Sequence, residues 1–287
     1  MELRAYWPLV VLPSTAYLVR GTLPPWGFMS AMAVALFAGC KWLTYCDART
    51  FRGSSLLRKL GYLFAWPGMD ADAFFSGANR VSRPLAFQWR LAAVKTMLGV
   101  ALTWIVARML APEFPVLAAW VGMIGLVFVL HFGIFDLLSL AWRRIGVDAV
   151  PLMRNPLRAT SLAEFWGRRW NTAFHELAVR FTFKPLRPIA GLTGATLLVF
   201  ILSGLIHELV ISVPARGGYG LPTGYFALQG AGLLVERGGI GRWAGLGHGL
   251  RGWMFTAVVT AAPICWLFPR PFVENIILPM LAAIGAI

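Results

Sequence analysis

Between Val116 and Trp142 the chain carries one carboxylate, Asp136, in a run of Leu, Val, Ile, Phe, Ala and Gly. A run of that length crosses the hydrocarbon of a bilayer as a helix, the form that satisfies every backbone polar group without water. Similar runs recur at Tyr6 to Val19, Trp26 to Cys46, Leu91 to Leu110, Ile189 to Val213, Tyr219 to Val235, Gly252 to Phe268 and Pro271 to Ile287. With 58% hydrophobic and 13% charged residues, the chain has more apolar surface than a water-soluble fold can hide. The expectation is an all-α integral membrane protein: about eight transmembrane helices plus cytoplasmic amphipathic or re-entrant helices, one polytopic domain over 1–287.

Charge supports the same reading. If the spans alternate, the N-terminus shares a side with loops 47–90, 143–188 and 236–251. These hold most of the basic residues, among them Arg49, Arg52, Arg58, Lys59, Arg80, Arg143, Arg168, Arg169 and Arg242. The other side keeps Arg20, Arg108, Arg216 and Arg270. The positive-inside rule then puts both termini and the large loops in the cytoplasm. The net charge of +14 does not point to nucleic acid, because the basic residues share their loops with Trp, Phe and Pro instead of forming a polar domain. Such loops attract anionic headgroups and suit an anionic soluble substrate such as a CoA thioester. Glu2 and Arg4 precede an apolar run that Pro13 interrupts with no cleavage site after it, which reads as a first span and fits a bacterial cytoplasmic membrane. Cys40, Cys46 and Cys265 have no metal-ligand or disulfide-framework spacing.

Two basic-side loops are too long to be simple connections. The first contains Gly61 to Asp70, apolar and aromatic but too short to span, which suggests an interfacial or re-entrant segment. In the second, Ser161 followed by Glu164 is a capping-box pattern, and apolar residues then recur at helical spacing as far as Phe181. A continuous amphipathic helix would align Glu164, Arg168, Asn171 and His175 along one polar stripe.

His207 stands inside an apolar run, where an ionisable group is costly and is a functional candidate by default. Neither His175-Glu176 nor His207-Glu208 is a zinc-hydrolase motif, because Val179 and Ile211 occupy the places of the second histidine; no metal site is expected. His131 and Asp136 fall on different helix faces and read as packing groups, and His248 as a solvated loop residue.

The segment Thr160-Ser161-Leu162-Ala163-Glu164-Phe165-Trp166-Gly167-Arg168-Arg169-Trp170-Asn171, followed by Ser203-Gly204-Leu205-Ile206-His207-Glu208-Leu209, resembles the wax synthase-like branch of the membrane-bound O-acyltransferases. Trp66-Pro67-Gly68-Met69-Asp70 and Ala227-Leu228-Gln229-Gly230 extend that resemblance over residues 60–235. It implies transfer of an acyl group from an acyl-CoA-type thioester, with no bound cofactor, to the hydroxyl of a lipid or small alcohol. It puts the family's intramembrane histidine on His207 and its Trp-Asn pair on Trp170 and Asn171. A neutral imidazole at His207 would take the alcohol proton, and the Asn171 amide would donate to the oxyanion or orient the imidazole. Trp166, Arg168, Arg169, Trp170, His175 and Glu208 are the substrate-binding candidates, with Arg168 and Arg169 facing CoA phosphates or anionic lipid headgroups. The alternative is a non-catalytic transporter or lipid-binding protein in which His207, Asp136 and Lys95 line a path.

Overall fold

The computed structural model describes residues 3–50, 53–76 and 81–287, so Glu2, Arg52 and Arg80 lie outside the described residues. Among the described residues the secondary structure is helical, with no strand. In chain order the helices are α1 (Trp7–Leu18), α2 (Pro25–Asp47), α3 (Leu56–Ala65), α4 (Ala71–Phe75), α5 (Ala86–Leu110), α6 (Pro115–Arg144), α7 (162–169), α8 (Thr172–Ala215), α9 (Leu221–Arg237), α10 (Gly239–Ala244), α11 (Gly249–Leu267) and α12 (270–283). Five of them, α2, α5, α6, α8 and α11, are long and apolar enough to cross a membrane. The chain is an integral membrane protein. Of the eight expected spans five meet that length, whereas α1 has 12 residues and α9 has 17, the latter bounded by Gly220 and Gly238.

The chain forms two compact units, residues 1–152 with 273–287, and residues 153–272. In the first, α5 and α6 approach closely at Gly99 and Gly125: a Cβ on Gly99 would sit 2.7 Å from the Gly125 carbonyl oxygen. Small residues at such crossings let helix backbones touch, the main source of helix association where lipid is as apolar as the side chains. Lys95 of α5 and Asp136 of α6 form an ion pair at 2.9 Å, so the aspartate expected to be a packing group has a charged partner.

The aromatic segment 61–70 divides in two. Residues up to Ala65 complete α3, one face of which is exposed and apolar at Leu56, Leu57, Leu60 and Phe64 while Gly61 and Tyr62 are buried. Trp66 to Met69 then run as buried, non-helical chain. Lys41, itself buried within α2, donates to the Gly68 carbonyl and lies 3.3 Å from the centre of the Tyr62 ring, whose hydroxyl meets Thr44 Oγ1 at 2.7 Å. A span therefore donates a cation to an irregular segment, supplying a hydrogen bond to backbone that no helix satisfies.

In the second unit, α8 begins well before the expected start at Ile189. It is continuous from Thr172 except at Gly191, where φ 67° and ψ −177° break the helical path just after Pro188. That region of backbone space is essentially reserved for glycine. Gly191→Ala is expected to lower stability by about 1–3 kcal/mol, read as a lower melting temperature in detergent; an unchanged melting curve would refute the kink as a fixed feature.

Candidate active site

The segment read as a capping box starts α7 with more support than the motif alone provides. Ser161 Oγ accepts from the Glu164 N–H at 2.9 Å, as expected. The reciprocal bond goes one residue earlier: the Glu164 carboxylate accepts from the Thr160 N–H at 2.8 Å and pairs with Arg169 at 2.7 Å. The Thr160 N–H, with Arg169 beside it, holds the Glu164 carboxyl below its ordinary value. The next two N–H groups, of Leu162 and Ala163, donate to the two carboxylate oxygens of Glu236, at the far end of α9. Both Leu162 and Glu236 are buried, so water is no substitute for these bonds.

The helix does not continue to Phe181. Residues 165–169 make a π turn closed by the Trp170 N–H on the Phe165 carbonyl at 2.8 Å, and the Trp170 ring stacks on Phe165 with centroids 5.9 Å apart. Trp170 is extended and Asn171 is left-handed at φ 46°, ψ 58°, after which α8 starts at Thr172. The single polar stripe of Glu164, Arg168, Asn171 and His175 therefore does not exist, because its geometry required an unbroken helix. Asn is among the few residues other than glycine that adopt this conformation at modest cost. Asn171 makes no side-chain capping bond, and its N–H donates to Met153 Sδ at 3.2 Å.

Within α8, each polar or small residue of Ser203-Gly204-Leu205-Ile206-His207-Glu208 has a distinct contact. The Ser203 carbonyl lies 2.7 Å from His207 Nδ1. A carbonyl only accepts, so Nδ1 carries the proton and Nε2 keeps its lone pair. Gly204 admits α9, since a Cβ there would stand 2.6 Å from Thr223 Cα. Glu208, a substrate-binding candidate in the sequence, bonds to α9 instead. Its Oε1 accepts from the N–H groups of Gly220 and Thr223, at 3.0 and 3.1 Å, and from Thr223 Oγ1 at 3.0 Å, tying down the start of α9.

Phe226, one turn into α9, brings the two motifs together. Its ring centroid lies 4.4 Å from that of His207 and 5.7 Å from that of Trp166. The Trp166 indole N–H donates to Gln229 Oε1 at 3.3 Å, and Gln229 Nε2 donates to the Val259 carbonyl at 2.8 Å. Trp166 and His207 thus share one aromatic neighbour. His175 packs toward Gly167, with Cε1 3.8 Å from where a Cβ would stand. Arg169 is engaged by Glu164 and by the carbonyls of Arg154 and Asn155, whereas Arg168 is exposed. Among the described residues no hydrogen bond joins Asn171 to His207. No group of His, Cys, Asp or Glu among them could hold a metal ion. Phe226 and Glu236 escaped the sequence reading; the available signal was a polar residue, Gln229 or Glu236, seven apart on one face of an otherwise apolar helix.

Residues 149–228, which hold α7, the Trp170–Asn171 break and His207, match the membrane bound O-acyl transferase family. The chain is 30% identical over 178 residues to the long-chain-alcohol O-fatty-acyltransferase of Simmondsia chinensis, covering 54% of this chain and 47% of that protein. It is 30% identical over 149 residues to the probable long-chain-alcohol O-fatty-acyltransferase 7 of Arabidopsis thaliana, covering 46% and 42%. A third relative from the same plant, the probable long-chain-alcohol O-fatty-acyltransferase 9, is 40% identical over 83 residues, 26% of this chain and 23% of its own. The chain thus aligns with about half or less of each of these relatives. In the matched segment, the left-handed Asn171 gives a separable test of backbone and side chain. Asn171→Ala is expected to cost about 1–2 kcal/mol of stability, and Asn171→Gly clearly less, by thermal unfolding in detergent. Equal losses would contradict the conformational role.

Proposed function

We propose that the protein is a membrane-bound O-acyltransferase of wax synthase type, moving an acyl group from acyl-CoA to the hydroxyl of a long-chain alcohol or another lipid alcohol. The observation that carries the proposal is His207 itself, with Nδ1 committed to the Ser203 carbonyl and its ring held against Phe226 beside Trp166. That leaves Nε2 as the one basic nitrogen for an incoming hydroxyl. The family match over 149–228 and the names of the plant relatives support the reaction class.

In this mechanism Nε2 takes the hydroxyl proton as the alcohol oxygen bonds to the thioester carbonyl carbon. The carbonyl oxygen becomes an oxyanion in the tetrahedral intermediate. The Asn171 amide either donates to that oxyanion or orients a substrate group beside the imidazole. Collapse breaks the carbon–sulfur bond, and the proton held on His207 passes to the departing thiolate, giving the ester and free CoA with the imidazole neutral again. Arg168, exposed at the end of the 165–169 turn, is the candidate contact for CoA phosphates. Arg169, already paired with Glu164, serves the turn. Trp166, Trp170 and His175 form the surroundings of the acyl and acceptor chains. The basic loops face the cytoplasm of a bacterial inner membrane, the side from which acyl-CoA arrives.

Membranes containing the protein should transfer label from radiolabelled acyl-CoA into an alkali-labile ester. His207→Ala should reduce the rate by about 10²–10⁴-fold, the usual contribution of a general base, and Asn171→Gly should reduce it while leaving the melting temperature nearly unchanged. Undiminished transfer by the His207 variant at matched expression would remove it from the mechanism.

A further inference from the structure

One face of α9 holds the site from three positions. Near its start Phe226 packs on His207, at mid-length Gln229 binds the Trp166 indole, and at its end Glu236 binds the first two N–H groups of α7. Helical spacing puts residues 226, 229 and 236 within about 80° of one another around the axis. The two helices also touch directly, since a Cβ on Gly232 would lie 2.9 Å from Leu162 Cδ1.

Glu236 stands out among these contacts. It is a carboxylate 6% exposed, among the described residues no cation is bonded to it, and its two oxygens are divided between two backbone donors. The start of a helix leaves N–H groups without internal partners, and a buried start leaves them without water. Ser161 Oγ covers the Glu164 N–H but not those of Leu162 and Ala163. Only a side chain from another element reaches them, and a negative one also suits the positive end of the helix. We infer that Glu236 is a positioning residue: its carboxylate fixes the register of residues 162–171 against α9, and so sets where Trp166 and Asn171 stand relative to His207. The anchoring rests on geometry alone, while its catalytic consequence rests on the acyl-transfer reading.

The division of the two oxygens makes the inference testable in graded form. A Gln at 236 keeps one acceptor and puts an NH₂ toward the other N–H; an Ala keeps none. Full-length wild type, Glu236→Gln and Glu236→Ala in lipid nanodiscs would be compared by hydrogen exchange and by acyl transfer with varied acyl-CoA. Exchange in the peptide carrying Leu162 and Ala163 should rise about tenfold in the Gln variant, the loss of one bond to a charged acceptor, and further in the Ala variant. Peptides from residues 192–207 should keep wild-type protection. The kcat should fall about tenfold in the Gln variant with KM for acyl-CoA within about twofold, because register affects the reacting geometry more than binding.

Unchanged exchange at Leu162 and Ala163 in either variant overturns the anchoring. Raised exchange with unchanged kcat, or loss of protection across residues 192–207 as well, overturns the positioning role. A wild-type protein without acyl transfer refutes the proposed reaction, and the exchange comparison still decides the anchor. Should the Ala variant fail to fold, the Gln variant carries the whole test.

Discussion

Gly204 lets α8 and α9 meet backbone to backbone, and that crossing governs the second unit. In lipid, helices gain little from hiding apolar surface from one another, so close packing and polar bonds between them must do the joining. Here both occur within two helical turns. Thr223 fills the space over Gly204 and also donates, through its N–H and its hydroxyl, to Glu208. With the start of α9 fixed in this way, Phe226 has to lie on His207, and the remaining length of α9 determines what Gln229 and Glu236 can reach. The histidine and the α7 turn are therefore located by a third element that holds both.

The polar groups of this unit divide the work without overlap. Ser203 sets the imidazole tautomer, Glu208 holds a helix start, Glu164 and Arg169 close the turn, and Gln229 spans from an indole to a carbonyl. Each is a local answer to the cost of an unpaired polar group in a low-dielectric surrounding. Nε2 of His207 is left outside this network, which is the arrangement a base needs. In the first unit Lys95 and Asp136 pair with each other, another local answer to the same cost.

Spans, charged loops and both motifs were legible in the sequence because each depends on residues close together in the chain. Hydrophobic length marked α2, α5, α6 and α11 to within a few residues. The errors share a different cause. The polar stripe assumed that helical spacing persists through Trp170-Asn171, yet the break there follows from a left-handed residue whose alternative, ordinary helix, was equally compatible with local pattern. Glu208 stands next to His207 in sequence, whereas its partners lie 12 and 15 residues on. Glu236 reaches across 74 residues to Leu162, a separation at which a single sequence carries no signal of pairing. Chemistry was thus readable where it was local, and its supports were hidden where they were not.

The buried ammonium of Lys41 bears on how the protein is built. A lysine within a membrane-spanning helix is costly unless its ammonium finds a partner or reaches the interface. Its partners, the Gly68 carbonyl and the Tyr62 ring, are made later in the chain and belong to α3 and the non-helical stretch after it. The charge inside this span is thus satisfied by residues 62–68, a segment that does not itself cross.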